Sequence, residues 1–245
     1  MTTPALEFAD VGKTFAPGRA VLAGVSATIP RDGVTFVVGQ SGSGKSVLCR
    51  LAVGLLSPTT GTVRLLGQPL QGLPERGRIA LRRRAPYLVQ GPALLDWLTV
   101  EKNVALAVPD APADAVLHAL ERAGVAEHAG ALPTTLGPAT RKRVSLARAL
   151  LLEPEYLLLD EPTTGLDSDA AAQVNDALAK LAAQGVGAMV VSHDFQALQA
   201  LATRVLWLTQ GRVGFWGPTR DFLTATDPAI QAQVAPGLAE ANFHG

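Results

Sequence analysis

At 245 residues, with 21 basic and 21 acidic side chains giving a formal net charge of zero, the chain can form one large α/β domain or two small ones, and no global field draws it to nucleic acid or an anionic bilayer. The single cysteine, Cys49, excludes an internal disulfide, and no stretch approaches the roughly 18 to 20 uninterrupted apolar residues of a membrane span. The first ten residues lack the basic-then-apolar pattern of a secretory signal, so a reducing, cytoplasmic location is expected.

In chain order, Leu6 to Ile29 reads as short strands with turns at Pro17-Gly18 and Ala23-Gly24, a small antiparallel sheet ahead of a parallel core. The run Val34 to Val38 is a buried strand; it ends in a glycine-rich turn and a helix from about Lys45 to Leu55, stopped by Ser57-Pro58. Leu94 to Leu136 favours helix in patches such as Ala113 to Ala123, broken by proline and glycine. A basic amphipathic helix, Thr140 to Leu152, precedes the apolar strand Tyr156 to Leu159. Helix Asp169 to Ala183, strand Val186 to Ser192, strands near Val205 to Leu208 and Val213 to Trp216, and a helical tip from Arg220 to Val234 complete the pattern. No repeat, low-complexity tract or linker interrupts it, so one α/β unit over 5–240 is expected, with a helical insertion at about 91–153. The basic cluster Arg78, Arg82, Arg83 and Arg84 is either a solvated, ion-paired surface or a contact for lipid head groups or a partner.

The chemistry concentrates after the strand Val34 to Val38. Gly39-Gln40-Ser41-Gly42-Ser43-Gly44-Lys45-Ser46 carries two glycines, a lysine and a serine at the spacing of a P-loop, between a predicted strand and a predicted helix. Glycines let backbone amides turn inward as an anion nest, Lys45 places a point charge on the β- and γ-phosphates, and the Ser46 hydroxyl can ligate Mg²⁺. Mg-ATP is the implied ligand, with Gly39 through Val47 as its binding segment. Such a loop needs a strand-end carboxylate to hold magnesium through water, and Asp160 supplies one. Glu161, the next residue, suits the role of orienting or deprotonating the attacking water. His193 follows another strand and can act as a γ-phosphate sensor.

With these residues in place, the sequence resembles the ABC ATPase family of P-loop NTPases over essentially its whole length. The resemblance implies a mainly parallel core sheet, an N-terminal antiparallel β subdomain and a helical subdomain. It makes Gln90 a Q-loop glutamine that ligates Mg²⁺ and reports to a membrane partner, Thr164 to Asp167 a D-loop, Ser192-His193-Asp194 an H-loop, and Phe15 the aromatic that stacks on adenine; the alternative for Phe15 is a core position. Family members form head-to-tail dimers in which each ATP is closed by the other subunit's LSGGQ signature. The corresponding stretch, Leu136-Gly137-Pro138-Ala139-Thr140, departs from it: the serine hydroxyl is gone and Pro138 has no N–H. Losing a transition-state donor costs roughly 10²–10³-fold in rate, which implies slow hydrolysis by a homodimer or pairing with a second ATPase subunit. Alternatively, Pro138 is a benign first helical residue.

Several stretches, including Gly44 to Leu48, Gln90 to Val100, Glu101 to Ala105 and Arg141 to Val144, are more similar to the Mla/Mce-type phospholipid and solvent-tolerance ATPases than to other subfamilies. That resemblance implies integral permease subunits, an Mce-domain substrate-binding protein, lipid cargo and a peripheral position on the inner face of the cell membrane. The segment after Gln90, with Trp97 and Leu98, is then where a permease docks, unless Trp97 is a core residue.

Overall fold

A computed structural model describes residues 3–16, 18–232 and 234. Strands β1 (Leu6–Ala16) and β2 (Arg19–Ile29) form a long hairpin, followed by β3 (Val34–Val38), helix α1 (Lys45–Ala52), β4 (Thr60–Leu65) and the short β5 (Gln68–Pro69). Next come α2 (Glu75–Arg84), β6 (Tyr87–Leu88), α3 (Val100–Ala105), α4 (Ala113–Arg122), two single 3₁₀ turns, and α5 (Pro138–Leu150). The chain continues through β7 (Leu157–Asp160), α6 (Ser168–Ala183), β8 (Ala188–Val191), α7 (Phe195–Leu201), β9 (Arg204–Thr209), β10 (Arg212–Pro218) and α8 (Thr219–Leu223).

Every residue of β3, β7 and β8 is buried, as expected of strands covered on both faces. They form the centre of a six-stranded sheet of order β10-β9-β3-β8-β7-β6, parallel except for β10. Side chains alternate across it. Val34, Phe36 and Val38 join a core with Val144, Leu150, Val174 and Leu178 from α5 and α6. Val37, Leu158, Met189 and Leu206 point the other way, into a core shared with Leu48 and Leu51 of α1 and with Leu6, Val63 and Leu65 of a four-stranded sheet of order β2-β1-β4-β5. Each fully buried leucine or phenylalanine contributes about 1.5–3 kcal/mol. The two cores therefore hold the carboxyl ends of β3, β7 and β8 as fixed supports for the loops that leave them.

Several expectations need correction. Ala23-Gly24 is not a turn but lies within β2, where the register passes from Val11↔Val25 to Lys13↔Leu22 and one extra residue makes a bulge. Helix α1 stops at Ala52, because Val53 and Gly54 already leave helical geometry. The C-terminal tip breaks after α8, and helix resumes only at residue 228; Gln233 and residues 235–240 of the expected unit, like Pro17, lie outside the described residues. The arginine cluster sits on α2 as a paired surface: Arg82 and Arg84 form ion pairs with Glu75 and Glu155, and Arg83 donates to the Ala107 carbonyl at 3.2 Å.

The helices between residues 91 and 153 pack on the α5 side of the sheet, and one buried polar residue organises their entry. Asn103, fully buried in α3, accepts from the Leu95 amide at 2.8 Å and donates to the carbonyls of Leu95, Leu98 and Thr99 at 2.9–3.1 Å. The loop so held presents Trp97 at 74% exposure, so the core reading of that tryptophan is wrong. Asn103→Ala leaves several loop groups unpaired and is expected to cost about 3 kcal/mol. A thermal melt should fall by roughly 6–12 °C; an unchanged melt would mean the loop re-pairs by itself.

Candidate functional site

The turn after β3 wraps around an ammonium group. Lys45 is 7% exposed, and its Nζ donates to the carbonyls of Gly39 at 2.7 Å and Gln40 at 3.1 Å. Burial pulls its pKa below the ordinary lysine value, while Glu161 and Asp160 pull it back up. The wrapping demands glycine. A Cβ on Gly39 would lie 2.2 Å from the Leu208 carbonyl, and one on Gly44, at φ +104°, would lie 2.5 Å from Leu22.

Gly44 caps α1 without a side-chain bond, and the first helical bond runs from the Leu48 amide to the Gly44 carbonyl. The amides of Lys45, Ser46 and Val47 are therefore orphan donors at the positive end of the helix. Ser43 Oγ is buried with no partner among the described residues. Donors converging at a helix start in this way are what a triphosphate chain engages.

Oxygen ligands for a hard cation lie beside them. Ser46 Oγ donates to Asp160 Oδ1 at 3.2 Å, and Tyr87 Oη donates to Asp160 Oδ2 at 2.7 Å. Burial first, then the Asp160 bond, pushes the Tyr87 phenol far above its usual pKa, so it stays a neutral donor. Among the described residues no three His, Cys, Asp or Glu side chains cluster to hold a metal. The donors suit magnesium, which keeps waters and takes its remaining ligands from nucleotide phosphates. Ser46, Asp160 through water, and Gln90 would hold it, and it would neutralise charge on the phosphates.

Glu161 follows β7 in a left-handed conformation, φ +52°, with its amide bonded to Val191 O at 2.8 Å. Such strain in a non-glycine residue costs about 1–3 kcal/mol and collects at functional sites. Here it turns the carboxylate off the sheet toward β8. Glu161 Oε1 lies 3.3 Å from His193 Nε2, and Oε2 accepts from Thr164 Oγ1 at 2.8 Å. Lys142 of α5 donates to the carbonyls of Glu161 and Thr164 at 3.3 and 2.9 Å, pinning this loop from the helical side.

Phe15, Ser41, Gly42, Gly44, Lys45, Ser46, Val47, Gln90, Glu161 and His193 all line one cleft of about 680 Å³. Residues singled out from the sequence thus meet in space. Phe15 is 55% exposed with the Lys13 ammonium 5.1 Å from its ring centroid; it is a rim aromatic, which removes the core alternative. Asp167 caps α6 by accepting from the Ala170 amide at 2.8 Å. Thr164 and Lys142 stand in the sequence only as members of the D-loop and Arg141–Val144 stretches, and Tyr87 is not singled out there; the contacts that the three make emerge only when separate strands and helices come together.

The signature segment starts α5. Gly137 is the N-cap and Pro138 the first helical residue, both exposed, which matches the benign reading of the proline. Ala139 and Thr140 keep their orphan amides, and the first turn of α5 holds no serine. Restoring Ser-Gly-Gly at Gly137 to Ala139 is expected to raise ATP turnover of a homodimer by about tenfold or more, up to the 10²–10³-fold of a lost donor. Steady-state phosphate release measures this, and unchanged turnover would assign the slow step elsewhere.

A β3–loop–α1 anion cradle flanked by strand-end carboxylates defines a P-loop nucleotide-binding protein. The chain matches the ABC transporter family over residues 22–164. It belongs to that family, whose members bind Mg-ATP and couple its hydrolysis to transport. The chain is 38% identical over 216 residues to a methionine import ATP-binding protein, MetN, of Caulobacter vibrioides, covering 85% of this chain and 65% of that protein. It therefore spans less than two thirds of that relative. It is also 32% identical over 256 residues to the chloroplastic protein trigalactosyldiacylglycerol 3 of Arabidopsis thaliana, covering 95% of this chain and 73% of the relative. Among solved structures, the dimeric cassette MJ0796 in a post-hydrolysis state with ADP and Pi superposes with a TM-score of 0.78 at 27% identity, covering 88% of this chain and 99% of that one. The expected kinship with Mce-type lipid ATPases is thus met only at the level of the ABC family, whereas the Caulobacter relative carries a methionine-import name.

Proposed function

We propose that the chain is the ATP-driven subunit of a membrane transporter, with 5–240 acting as one cassette against separate permease subunits. The observation that carries this reading is the convergence of Lys45, Ser46, Glu161 and His193 on one cleft, with Asp160 bonded to Ser46. Backbone amides and Lys45 hold the phosphates, Glu161 orients or deprotonates water in line with the γ-phosphate, and His193 contacts the same phosphate. Phe15 stacks on adenine from the cleft rim. Gln90 leads from the metal side of the cleft to the loop that presents Trp97, where a permease docks. A second ATPase subunit closes the cleft, its dimer pairing like with like or with a chain that carries an intact signature. The working position is cytoplasmic and peripheral to the membrane; among the described residues no helix is long and apolar enough to cross it. No nucleic-acid partner is expected.

For cargo, the methionine-import relative supports a small solute taken up with a binding protein. A second reading, lipid transport with an Mce-domain partner, draws on the relative named for a galactolipid, whose alignment spans more of this chain. Purifying the chain from its native membrane and identifying its companions separates the two. A permease with a small-solute binding protein supports import, a permease with an Mce protein supports lipid transport, and the absence of any permease overturns the transporter reading.

A further inference from the structure

We infer that Tyr87 is a positioning residue for the metal-side acid: its hydroxyl sets the orientation in which Asp160 meets a nucleotide-bound magnesium ion. The inference rests on the Mg-ATP reading above and adds a residue to it. Asp160 is 6% exposed, and both its oxygens are engaged: Oδ1 by the Ser46 hydroxyl and Oδ2 by Tyr87. A carboxylate bonded on one oxygen alone can rotate about its last torsion, which is broad. With Oδ2 held at 2.7 Å by a side chain from a different strand, Oδ1 stays turned toward Ser46.

Tyr87 can do this because of its register. On edge strand β6 it pairs with Leu158 of β7, two residues before Asp160, and its ring packs against the core that contains Leu48, Leu158 and Met189. The ring is thereby fixed and the hydroxyl arrives at the end of the neighbouring strand. Three residues later the chain reaches Gln90, which lines the cleft, so the same bond anchors the root of the Gln90 segment to the metal acid. Groups that orient a metal ligand from behind set metal affinity by about 10–100-fold.

The test uses the full chain, ATP and MgCl₂. Tyr87→Phe keeps the ring and removes the donor. ATP affinity measured calorimetrically in EDTA should match the unaltered protein, whereas the magnesium concentration that half-saturates the magnesium-dependent gain in affinity should rise about 10–100-fold. An unchanged magnesium requirement, or an equal loss with and without magnesium, overturns the proposal. Lys45→Ala run alongside separates the two levels: if it too leaves ATP binding intact, the nucleotide site itself is wrong. A second measurement needs no substitution at position 87. The chain has two tyrosines, so 3-fluorotyrosine labelling yields two fluorine resonances, that of fully buried Tyr156 serving as the reference. With ATP already bound, magnesium should move the Tyr87 line; a stationary line overturns the proposal even if Tyr87→Phe fails to fold.

Discussion

Replacing Lys45 by alanine should lower ATP affinity by about 10²–10³-fold, the cost of truncating one member of a buried, hydrogen-bonded charge pair. The ammonium sits inside its loop, 7% exposed, between two carbonyls. When nucleotide binds, this largely buried charge is expected to meet the phosphates, and Coulombic attraction at a partly buried site is several times stronger than in bulk water. Lys45→Arg should not rescue binding, because a planar guanidinium does not fit a cradle shaped around a compact ammonium. Isothermal titration with ATP, paired with a melt to show that the variant is folded, decides the matter. A folded Lys45→Ala protein with unaltered affinity and magnesium dependence would remove the basis for the nucleotide site.

Glu161→Gln should separate binding from chemistry. Glutamine keeps the size of the side chain and can retain contacts with Thr164 and His193, but it is no base. Turnover is expected to fall by about 10²–10⁴-fold, the range for a lost general base, with ATP affinity changed by less than about threefold because uniform binding is left in place. Phosphate release and equilibrium ATP binding on the same preparation provide both numbers. A drop in turnover below tenfold would place the activation of water on another group. The strained backbone at Glu161, φ +52°, belongs to the same prediction. Glutamine must bear the same conformation, so the melt of the variant should stay near that of the parent.

The parts of this architecture that can be read ahead are those where local chemistry and burial coincide. Val34 to Val38 is a strand by composition, and the glycines after it leave no other use for Lys45, so β3, the cradle and the start of α1 fall where expected. Asp160 is legible because an apolar run ends on it. The stretch from Pro58 to Ala85 is not: β4 is buried at only two of its positions, Val63 and Leu65, and α2 is rich in arginine, so neither shows a clear apolar period. The bulge at Ala23-Gly24 looks like a turn because both features want glycine; only the partner strand tells them apart. Trp97 is ambiguous because a tryptophan can be core or contact, and what decides it is Asn103, a polar residue six positions on that ties down the loop from inside. The Tyr87–Asp160 bond spans 73 residues of sequence, and no local pattern announces it.

Asp167 illustrates how one side chain can blur a mutational experiment. Its carboxylate caps the 16-residue α6 by holding the Ala170 amide, a bond worth about 0.5–2 kcal/mol to the helix. Alanine at this position would loosen the first turn of that helix, and a loss of function would mix a local unravelling with the loss of whatever the charge itself does. Asparagine caps equally well and lacks the charge. Comparing Asp167→Asn with Asp167→Ala therefore separates the effect of the negative charge from the effect of the lost helix cap.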